Sequence, residues 1–280
     1  MRLGILIDSL QTLGGAELHT MRLIASALRA GDQVVVASLV ANTTGIEHVV
    51  VKAPRGRPAR DRVFAERGLA TLRERGCDAV LGFRHCPGVD AYLPHGGLVA
   101  DALHAQDAAR GRVSRLRLLA RELSGKHRFF AEAEQALLGA AEGPRVICVS
   151  HALRQRMRAV YPASTKRAVV IPNGVDVRHF DPSNVPPSTL RTELGLDGAY
   201  VGLLLAWHPR LKGAEAAIRA LARPEVQALD PSFHLVVAGG RLPADLPVLA
   251  RRLGVTARLH LLPGFEDPRR LYPAADVLVH

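Results

Sequence analysis

Short apolar runs alternate with amphipathic segments along the chain, and this alternation predicts strands joined by helices. Runs of about four to eight apolar residues are typical of strands that are buried on both faces of a parallel sheet. In the first half the predicted strands are residues 3–7, 33–39, 46–51, 78–83 and 146–149, with helices at 59–75 and after Ala16 and Ser150.

The second half of the chain repeats the alternation. Its predicted strands are residues 168–171, 200–207, 234–238, 259–262 and 276–280, and its predicted helices are 189–194, 214–222, 244–253 and 267–274. A strand, a helix and a strand in that order form a parallel pair. Because 280 residues exceed the usual size of one hydrophobic core, the sequence predicts an α/β protein of two doubly wound domains, residues 1–165 and 166–280.

The predicted junction of the two domains is the stretch 145–176. Ser150 is placed to cap a basic helix that runs to about Tyr161, because a serine hydroxyl satisfies a free backbone donor at a helix start. Further on, the pair Asn173-Gly174 predicts a tight turn, since it supplies the positive φ that such a turn needs.

Motifs within this junction point to a family. The sequence VS at residues 149–150 and IPNGVD at residues 171–176, followed by Phe180, resembles the retaining glycosyltransferases of family 4. The resemblance runs along the whole chain. It implies the GT-B arrangement of two Rossmann-like domains, of which the first binds the acceptor and the second binds the nucleotide sugar.

The net charge of +11 bears on binding partners and says nothing about the fold. Nucleic acid is disfavoured because no aromatic-basic interleaving, zinc spacing or recognition-helix motif occurs. An anionic membrane surface, a phosphorylated acceptor or an arginine-rich genome accounts for the charge as well. The three cysteines fit no metal or disulfide spacing, which favours a reducing cytoplasm. The lipid-linked acceptor that the family resemblance implies would place the protein at the inner face of the cytoplasmic membrane.

A glycine pair, Gly14-Gly15, stands between the first predicted strand and the first helix. Free N–H groups at a helix N-terminus can receive an anion, although a plain turn is the simpler interpretation. The pattern is not GxGxxG, so no dinucleotide fingerprint is met. The family resemblance implies that the amides of Gly14 and Gly15 approach the phosphates of the donor.

Residues 82–97, GFRHCPGVDAYLPHGG, resemble the lipopolysaccharide-core glucosyltransferases of this family, which share a GF…PGxDxY run. His95 follows the next strand and is expected at the carboxyl edge of the sheet, where open α/β folds bind ligands. An isolated histidine is more often structural, but the resemblance implies that His95 contacts the transferred sugar. His85, in a similar edge position, is a second candidate.

The loop at residues 208–213, HPRLKG, carries the family's phosphate-handling Lys-Gly pair. The resemblance therefore assigns Lys212 and Gly213 to the donor diphosphate, where a fixed cation stabilises the leaving nucleoside diphosphate. The family's usual arginine, five residues before the lysine, is replaced here by Trp207. Arg210 is then either the second cation or an ordinary surface arginine.

Two more donor-binding residues follow from the resemblance, Gly239 at a strand end and Phe265 near the expected position of the nucleotide base. The chain ends inside a predicted strand, whereas family members continue to two glutamates that hold the donor. We therefore expect the second domain to be incomplete and the chain to be a fragment. Residues 108–131 carry seven basic residues against one acid, which suits either an anionic bilayer surface or an ordinary solvated helix.

The resemblance implies a retaining transfer of a hexose, glucose from UDP-glucose, onto a saccharide or lipid-linked acceptor such as the lipopolysaccharide core, with GDP-mannose as an open alternative. No D-x-D pair occurs, so neither a metal nor another cofactor is expected. A nucleotide-sugar epimerase is disfavoured because its GxxGxxG and Tyr-x-x-x-Lys motifs are missing. The other alternative is an inactive remnant that binds a nucleotide or a membrane surface.

Overall fold

The chain folds into two compact units, Met1–Gly174 and Val175–His280. The computed structural model describes residues 1–10, 15–40, 45–56, 58–83, 85–99, 101, 125–185, 188–264 and 267–280. Each unit is built on its own parallel β-sheet, and apolar helix residues pack against both faces of that sheet.

The sheet of the first unit has seven parallel strands. They are β1 (Arg2–Leu6), β2 (Gln33–Ser38), β3 (Glu47–Val50), β4 (Ala79–Gly82), β5 (Ala91–Tyr92), β6 (Arg145–Cys148) and β7 (Ala168–Val170). Their order in the sheet is β3-β2-β1-β4-β5-β6-β7, so the direction of winding reverses between β1 and β4. Open α/β sheets bind ligands in the crevice beside such a reversal.

Helices cover both faces of this first sheet. They are α1 (Gly15–Arg29), α2 (Ala59–Glu74), α3 (Gly125–Leu138) and α4 (His151–Val160). Successive strand residues point to opposite faces, so Leu6 joins the hydrophobic cluster of Phe64 on α2 whereas Ile5 joins the cluster of Ile24 on α1. The unit is therefore doubly wound, as its continuous apolar strands predicted.

The second unit repeats the strand order of the first on a smaller scale. Its strands are β8 (Tyr200–Leu205), β9 (Phe233–Gly239), β10 (Leu259–Pro263) and β11 (Val277–Leu278), and its helices are α5 (Leu190–Glu193), α6 (Ala214–Leu221), α7 (Pro224–Leu229) and α8 (Asp245–Arg252). The sheet order is β10-β9-β8-β11, so the winding reverses between β8 and β11. Leu204 clusters with Ile218 of α6 on one face, and Leu203 clusters with Leu271 on the other.

The junction between the units differs from the sequence prediction in two ways. Strand β7 is hydrogen-bonded to β6 and completes the first sheet, so the first unit extends to Gly174 and does not end at residue 165. Neither Asn173 nor Gly174 has a positive φ. The predicted tight turn there is therefore wrong, because the chain leaves the edge strand β7 without an antiparallel partner that would demand a reversal. The predicted cap is confirmed, since Ser150 Oγ accepts the Leu153 N–H at 3.1 Å.

One predicted helix is also corrected. Residues 267–274 form two 3₁₀ turns, Pro268–Arg270 and Tyr272–Ala274, in place of one short α-helix. The physical reason is Pro273, whose ring nitrogen carries no hydrogen and so cannot donate within a continuous helix.

Candidate active site

A cavity of about 320 Å³ opens at the carboxyl edge of the first sheet, beside the reversal between β1 and β4. Its polar side chains are those of Asp8, Glu17, His85, Tyr92 and His95. Among the described residues that line it there is no lysine or arginine. Carboxylates and imidazoles exchange hydrogen bonds with hydroxyl groups, whereas two carboxylates repel an anion. The described lining therefore offers hydrogen-bonding partners to a hydroxyl-rich ligand.

His95 lies in the wall of this cavity, directly beyond β5, where the sequence placed it. Its Nε2 atom is buried and has no hydrogen-bond partner in the described part of the chain. The ring faces His19 of α1, with ring centroids 5.7 Å apart. Burial, and after it the positive charge of a protonated His19, lower the pKa of His95 below its ordinary value. A neutral imidazole with an unused nitrogen is thus available to a ligand hydroxyl.

The glycines beside His95 serve the turn that presents it. The Gly97 N–H donates to the Pro94 carbonyl at 3.0 Å, and Gly97 has a φ of +82°. Residues with a Cβ rarely adopt this left-handed conformation, so glycine is favoured there. The turn directs residues 94–99 along the cavity wall.

Gly15 is the first residue of α1, and the next two residues, Ala16 and Glu17, line the cavity. A Cβ built on Gly15 would meet no atom within 4 Å, so packing does not require glycine at this position. The predicted placement of a glycine at a helix N-terminus is confirmed. Its contact with donor phosphates stays a prediction, and Gly14 lies outside the described residues.

Glu134 is a buried carboxylate that the sequence reasoning missed. It has 0% exposure, and its Oε1 accepts the Val99 N–H at 2.7 Å while its Oε2 accepts the Tyr161 hydroxyl at 2.9 Å. The Nε2 atom of His85 lies 3.7 Å from the same Oε1. Burial acts to raise the pKa of Glu134, but the His85 ring and the two hydrogen bonds outweigh it and lower that pKa.

A signal for Glu134 was present in the sequence. The residue lies on the apolar stripe of α3, at helical spacing from Phe130, Leu137 and Leu138. Leu137 and Leu138 belong to the core of the first unit. An acid at such a position is expected to be buried and therefore to have dedicated partners.

The corresponding edge of the second sheet carries exposed cations on the loop after β8. Lys212 is exposed, and no ion pair of Lys212 occurs within the described part of the chain. The next residue, Gly213, has a φ of +78° and is the N-cap of α6. The predicted order of strand, Lys-Gly and helix is therefore confirmed, and the phosphate-binding role of both residues stays a prediction.

Arg210 of the same loop is engaged. Its Nη2 lies 2.7 Å from Oδ2 of Asp245 in the first turn of α8, and the two side chains are 70% and 57% exposed. Such a surface ion pair is worth at most about 1 kcal/mol. Arg210 can therefore exchange Asp245 for a ligand anion at little cost. Trp207, which occupies the usual place of the family's arginine, is also exposed.

Gly239 and Gly240 lie at the same edge of the second sheet, where β9 ends. A Cβ on Gly239 would lie 2.3 Å from the carbonyl oxygen of Ala206, and one on Gly240 would lie 2.7 Å from the carbonyl oxygen of Trp207. Gly239 also has a φ of +146°. Packing against the end of β8 thus accounts for both glycines, and donor binding by Gly239 stays a prediction.

Two predicted features lie wholly or partly outside the described residues. Phe265 lies wholly outside them. The basic segment 108–131 lies outside them up to residue 124. At the described end of that segment Phe129 is buried, with the guanidinium of Arg62 5.8 Å from its ring centroid. This phenylalanine therefore packs within the first unit and is not exposed for contact with a bilayer. No helix among the described residues is both long and apolar enough to cross a membrane.

Comparison with known proteins identifies the family. The family model for Glycosyltransferase Family 4 matches residues 13–179, which is more than half of the chain. The chain belongs to Glycosyltransferase Family 4. The matched span includes Gly15, His85, His95 and Glu134, and it ends before the loop that carries Lys212.

Individual proteins and solved structures are also similar to this chain. The chain is 27% identical over 213 residues to the lipopolysaccharide glucosyltransferase WaaG of Escherichia coli (strain K12), covering 75% of this chain and 54% of WaaG. A crystal structure of WaaG, described as a glycosyltransferase involved in lipopolysaccharide biosynthesis, matches with a TM-score of 0.83 at 23% identity, covering 100% of this chain and 74% of that one. Anabaena Alr3699/HepE in complex with UDP-glucose matches with a TM-score of 0.68 at 20% identity, covering 100% and 73%.

The structural matches confirm the predicted GT-B fold. The chain spans about half the length of the curated WaaG sequence that it matches.

Proposed function

We propose that the protein is a retaining glycosyltransferase that transfers a hexose, glucose from UDP-glucose, to a saccharide of the lipopolysaccharide core. The observation that carries this proposal is the cavity at the β1–β4 reversal, whose imidazoles and carboxylates suit the hydroxyl groups of a sugar. Membership of Glycosyltransferase Family 4 supports the reaction class. Similarity to WaaG, and to HepE in its UDP-glucose complex, supports the acceptor and the donor.

In this proposal the two units have different tasks. The first unit binds the acceptor, and its His95 hydrogen-bonds the transferred sugar. The second unit binds the nucleotide sugar through Lys212, Gly213 and the β9 end at Gly239. The free N–H groups at Gly15 and the positive end of the α1 dipole favour the donor phosphates.

The proposed reaction exchanges one bond at the anomeric carbon for another on the same face of the sugar. The bond from C1 to the β-phosphate oxygen breaks, and its electron pair leaves with UDP. The acceptor hydroxyl oxygen forms the new bond to C1, and its proton departs with the released UDP. Lys212 stabilises the charge that develops on the leaving phosphate, with Arg210 as a second cation. The proposal includes no metal and no further cofactor.

The acceptor also determines where the reaction takes place. A lipid-linked saccharide presents its sugar at the inner face of the cytoplasmic membrane. The basic composition of residues 108–131 supports contact with that anionic surface, at roughly 1 kcal/mol per basic residue.

The test is a transfer assay on the full-length protein, with UDP-glucose or GDP-mannose as donor and a heptose-terminated lipopolysaccharide core as acceptor. We expect glucose to be transferred, with the α-configuration of the donor kept in the product as read from the anomeric proton in NMR. Transfer from GDP-mannose alone would overturn the donor. A β-linked product would overturn retention, and no transfer from either donor would overturn the function.

A further inference from the structure

Glu134 of α3 is a fully buried carboxylate. A buried carboxylate costs several kcal/mol unless donors surround it. Within the described part of the chain, the contacts of Glu134 include three groups, the Val99 N–H, the Tyr161 hydroxyl and the His85 ring. A leucine at this position on the apolar stripe would be buried without the free-energy cost of removing a carboxylate from water. The arrangement therefore needs an explanation beyond core packing.

Two of these three partners belong to the cavity wall, and they share one oxygen. Val99 and His85 both line the cavity, and both approach Oε1 of Glu134, at 2.7 Å and 3.7 Å. Val99 ends the wall segment that begins at the His95 turn, whereas His85 follows β4. One carboxylate oxygen therefore contacts two segments of the cavity wall, one that follows β4 and one that follows β5.

Two aromatic rings also contact the His85 ring. The His85 ring lies between Tyr92 and Phe130, with centroid distances of 5.9 Å and 5.3 Å. Neither ring nitrogen has a hydrogen-bond partner within 3.5 Å among the described residues. Among the described residues, Glu134 is the ion-pair partner of His85, with Oε1 3.7 Å from Nε2, and this charge favours one orientation of the ring.

We propose that Glu134 is a positioning residue, which holds the Val99 N–H and the His85 ring through Oε1 so that the cavity keeps the shape that binds the sugar. The identity of the ligand rests on the proposed function, whereas the positioning itself does not. The third partner, Tyr161, does not line the cavity. Its bond to Oε2 serves the stability of the carboxylate and supplies a matched control.

The test compares Glu134→Gln with Tyr161→Phe in the full-length protein. An amide has one oxygen where the carboxylate has two, and it carries no charge, so its bond to Val99 is weakened. We expect hydrogen exchange at the Val99 amide to become about tenfold faster in Glu134→Gln, the scale of weakening one charge-assisted hydrogen bond. Tyr161→Phe removes a bond from the same buried carboxylate, and we expect Val99 exchange to change less than about twofold there.

The kinetic readout separates positioning from stability. For Glu134→Gln we expect the KM for UDP-glucose to rise about tenfold while kcat stays within about threefold, because binding geometry is lost and the reacting groups remain. Equal effects of the two variants on Val99 exchange and on KM would overturn the proposal and leave Glu134 a purely structural residue. If Glu134→Gln does not fold, Glu134→Asp keeps the charge but withdraws the oxygen, and the same two readouts apply.

The two proposals fail in different ways. If the unmodified protein transfers no sugar, the function is wrong, but Val99 exchange in the variants still decides the role of Glu134. If the unmodified protein transfers glucose and Val99 exchange is unchanged in Glu134→Gln, the positioning role is wrong and the function stands.

Discussion

The two units share a strand order but equip the carboxyl edges of their sheets differently. In the first unit this edge holds half-buried imidazoles, a cavity and the buried carboxylate of Glu134. In the second unit it holds exposed cations, Lys212 and the ion-paired Arg210. Polar groups inside a cavity select a ligand by shape and hydrogen bonding, whereas exposed cations select it by charge. One fold thus provides two kinds of recognition through the loops at its strand ends.

The glycines at the two edges differ in how closely their surroundings are packed. At Gly15 and Gly97 of the first unit there is open space around the position of a Cβ. At Gly239 and Gly240 of the second unit the backbone of Ala206 and Trp207 occupies that space. The junction of β8 and β9 is therefore closely packed, whereas Gly213 in the loop after β8 has open space around it, as Gly15 and Gly97 do.

The largest expected effect belongs to the charge of the second edge. Lys212→Ala should lower kcat at least ~100-fold in the full-length protein, because removing one partner of the transition-state charge costs about 2.7–4 kcal/mol. The measurement is steady-state glucosyl transfer with saturating UDP-glucose. Lys166→Ala, which changes another exposed lysine of the chain, is the control and should leave kcat within about twofold. An unchanged kcat in Lys212→Ala would remove this residue from the mechanism.

The packing of the second edge is tested by Gly239→Ala. The new Cβ would meet the Ala206 carbonyl oxygen, and φ would stay strained, so we expect the free energy of unfolding to fall by about 3 kcal/mol or more. Gly198→Ala is the matched control. It has a φ of +80° but open space around it, so only backbone strain of about 1–2 kcal/mol is expected. Chemical denaturation measures the free energy of unfolding of both variants. Equal decreases would mean that a small backbone shift at Gly239 accommodates the new Cβ.

The smallest expected effect concerns the imidazole pairs of the two units. His95 faces His19 at the cavity, whereas His234 Nδ1 lies 3.0 Å from His260 Nε2 near the amino ends of β9 and β10. Burial lowers the pKa of His95, His234 and His260 below the ordinary value of 6.5. The unfolded chain therefore binds more protons, and stability should fall as pH drops through 6.5, by less than about 1 kcal/mol for each ring after solvent screening.

This pH prediction also distinguishes the cavity of the first unit from the His234–His260 pair of the second unit. Histidine Cε1 proton shifts measured against pH should show His95 and His260 titrating below the ordinary range. Addition of UDP-glucose should then shift the titration of His95 and leave that of His260 unchanged, because only His95 lines the cavity. A ligand effect on His260 alone would place sugar binding away from the first edge.

Much of the fold was predictable because strands buried on both faces must be apolar throughout. The runs around Ile5, Val35 and Val236 were located correctly for this reason, and each contributes to a core cluster. The junction was less predictable. Strand β7 belongs to the first sheet through its pairing with β6, and a local pattern does not show which sheet accepts a short edge strand.

The candidate site was predictable where a residue's place follows from its strand. His95 and Lys212 each follow a strand, so their positions at sheet edges were derived without contacts. Glu134 was missed because its partners are distant in sequence, with 35 residues separating it from Val99 and 27 from Tyr161. The ion pair of Arg210 with Asp245 also spans 35 residues and was missed for the same reason.

The sequence by itself determined the α/β class, the alternation of parallel strands and helices, and the motifs that mark Glycosyltransferase Family 4, since all of these are written in local patterns of residues. Only the tertiary structure decided that one carboxylate joins two walls of a cavity and that Gly239 must pass the backbone of Ala206. The physical reason is that such contacts depend on how whole helices and strands pack against one another. Packing brings together groups that are far apart in the sequence, and no local sequence pattern shows which groups will meet.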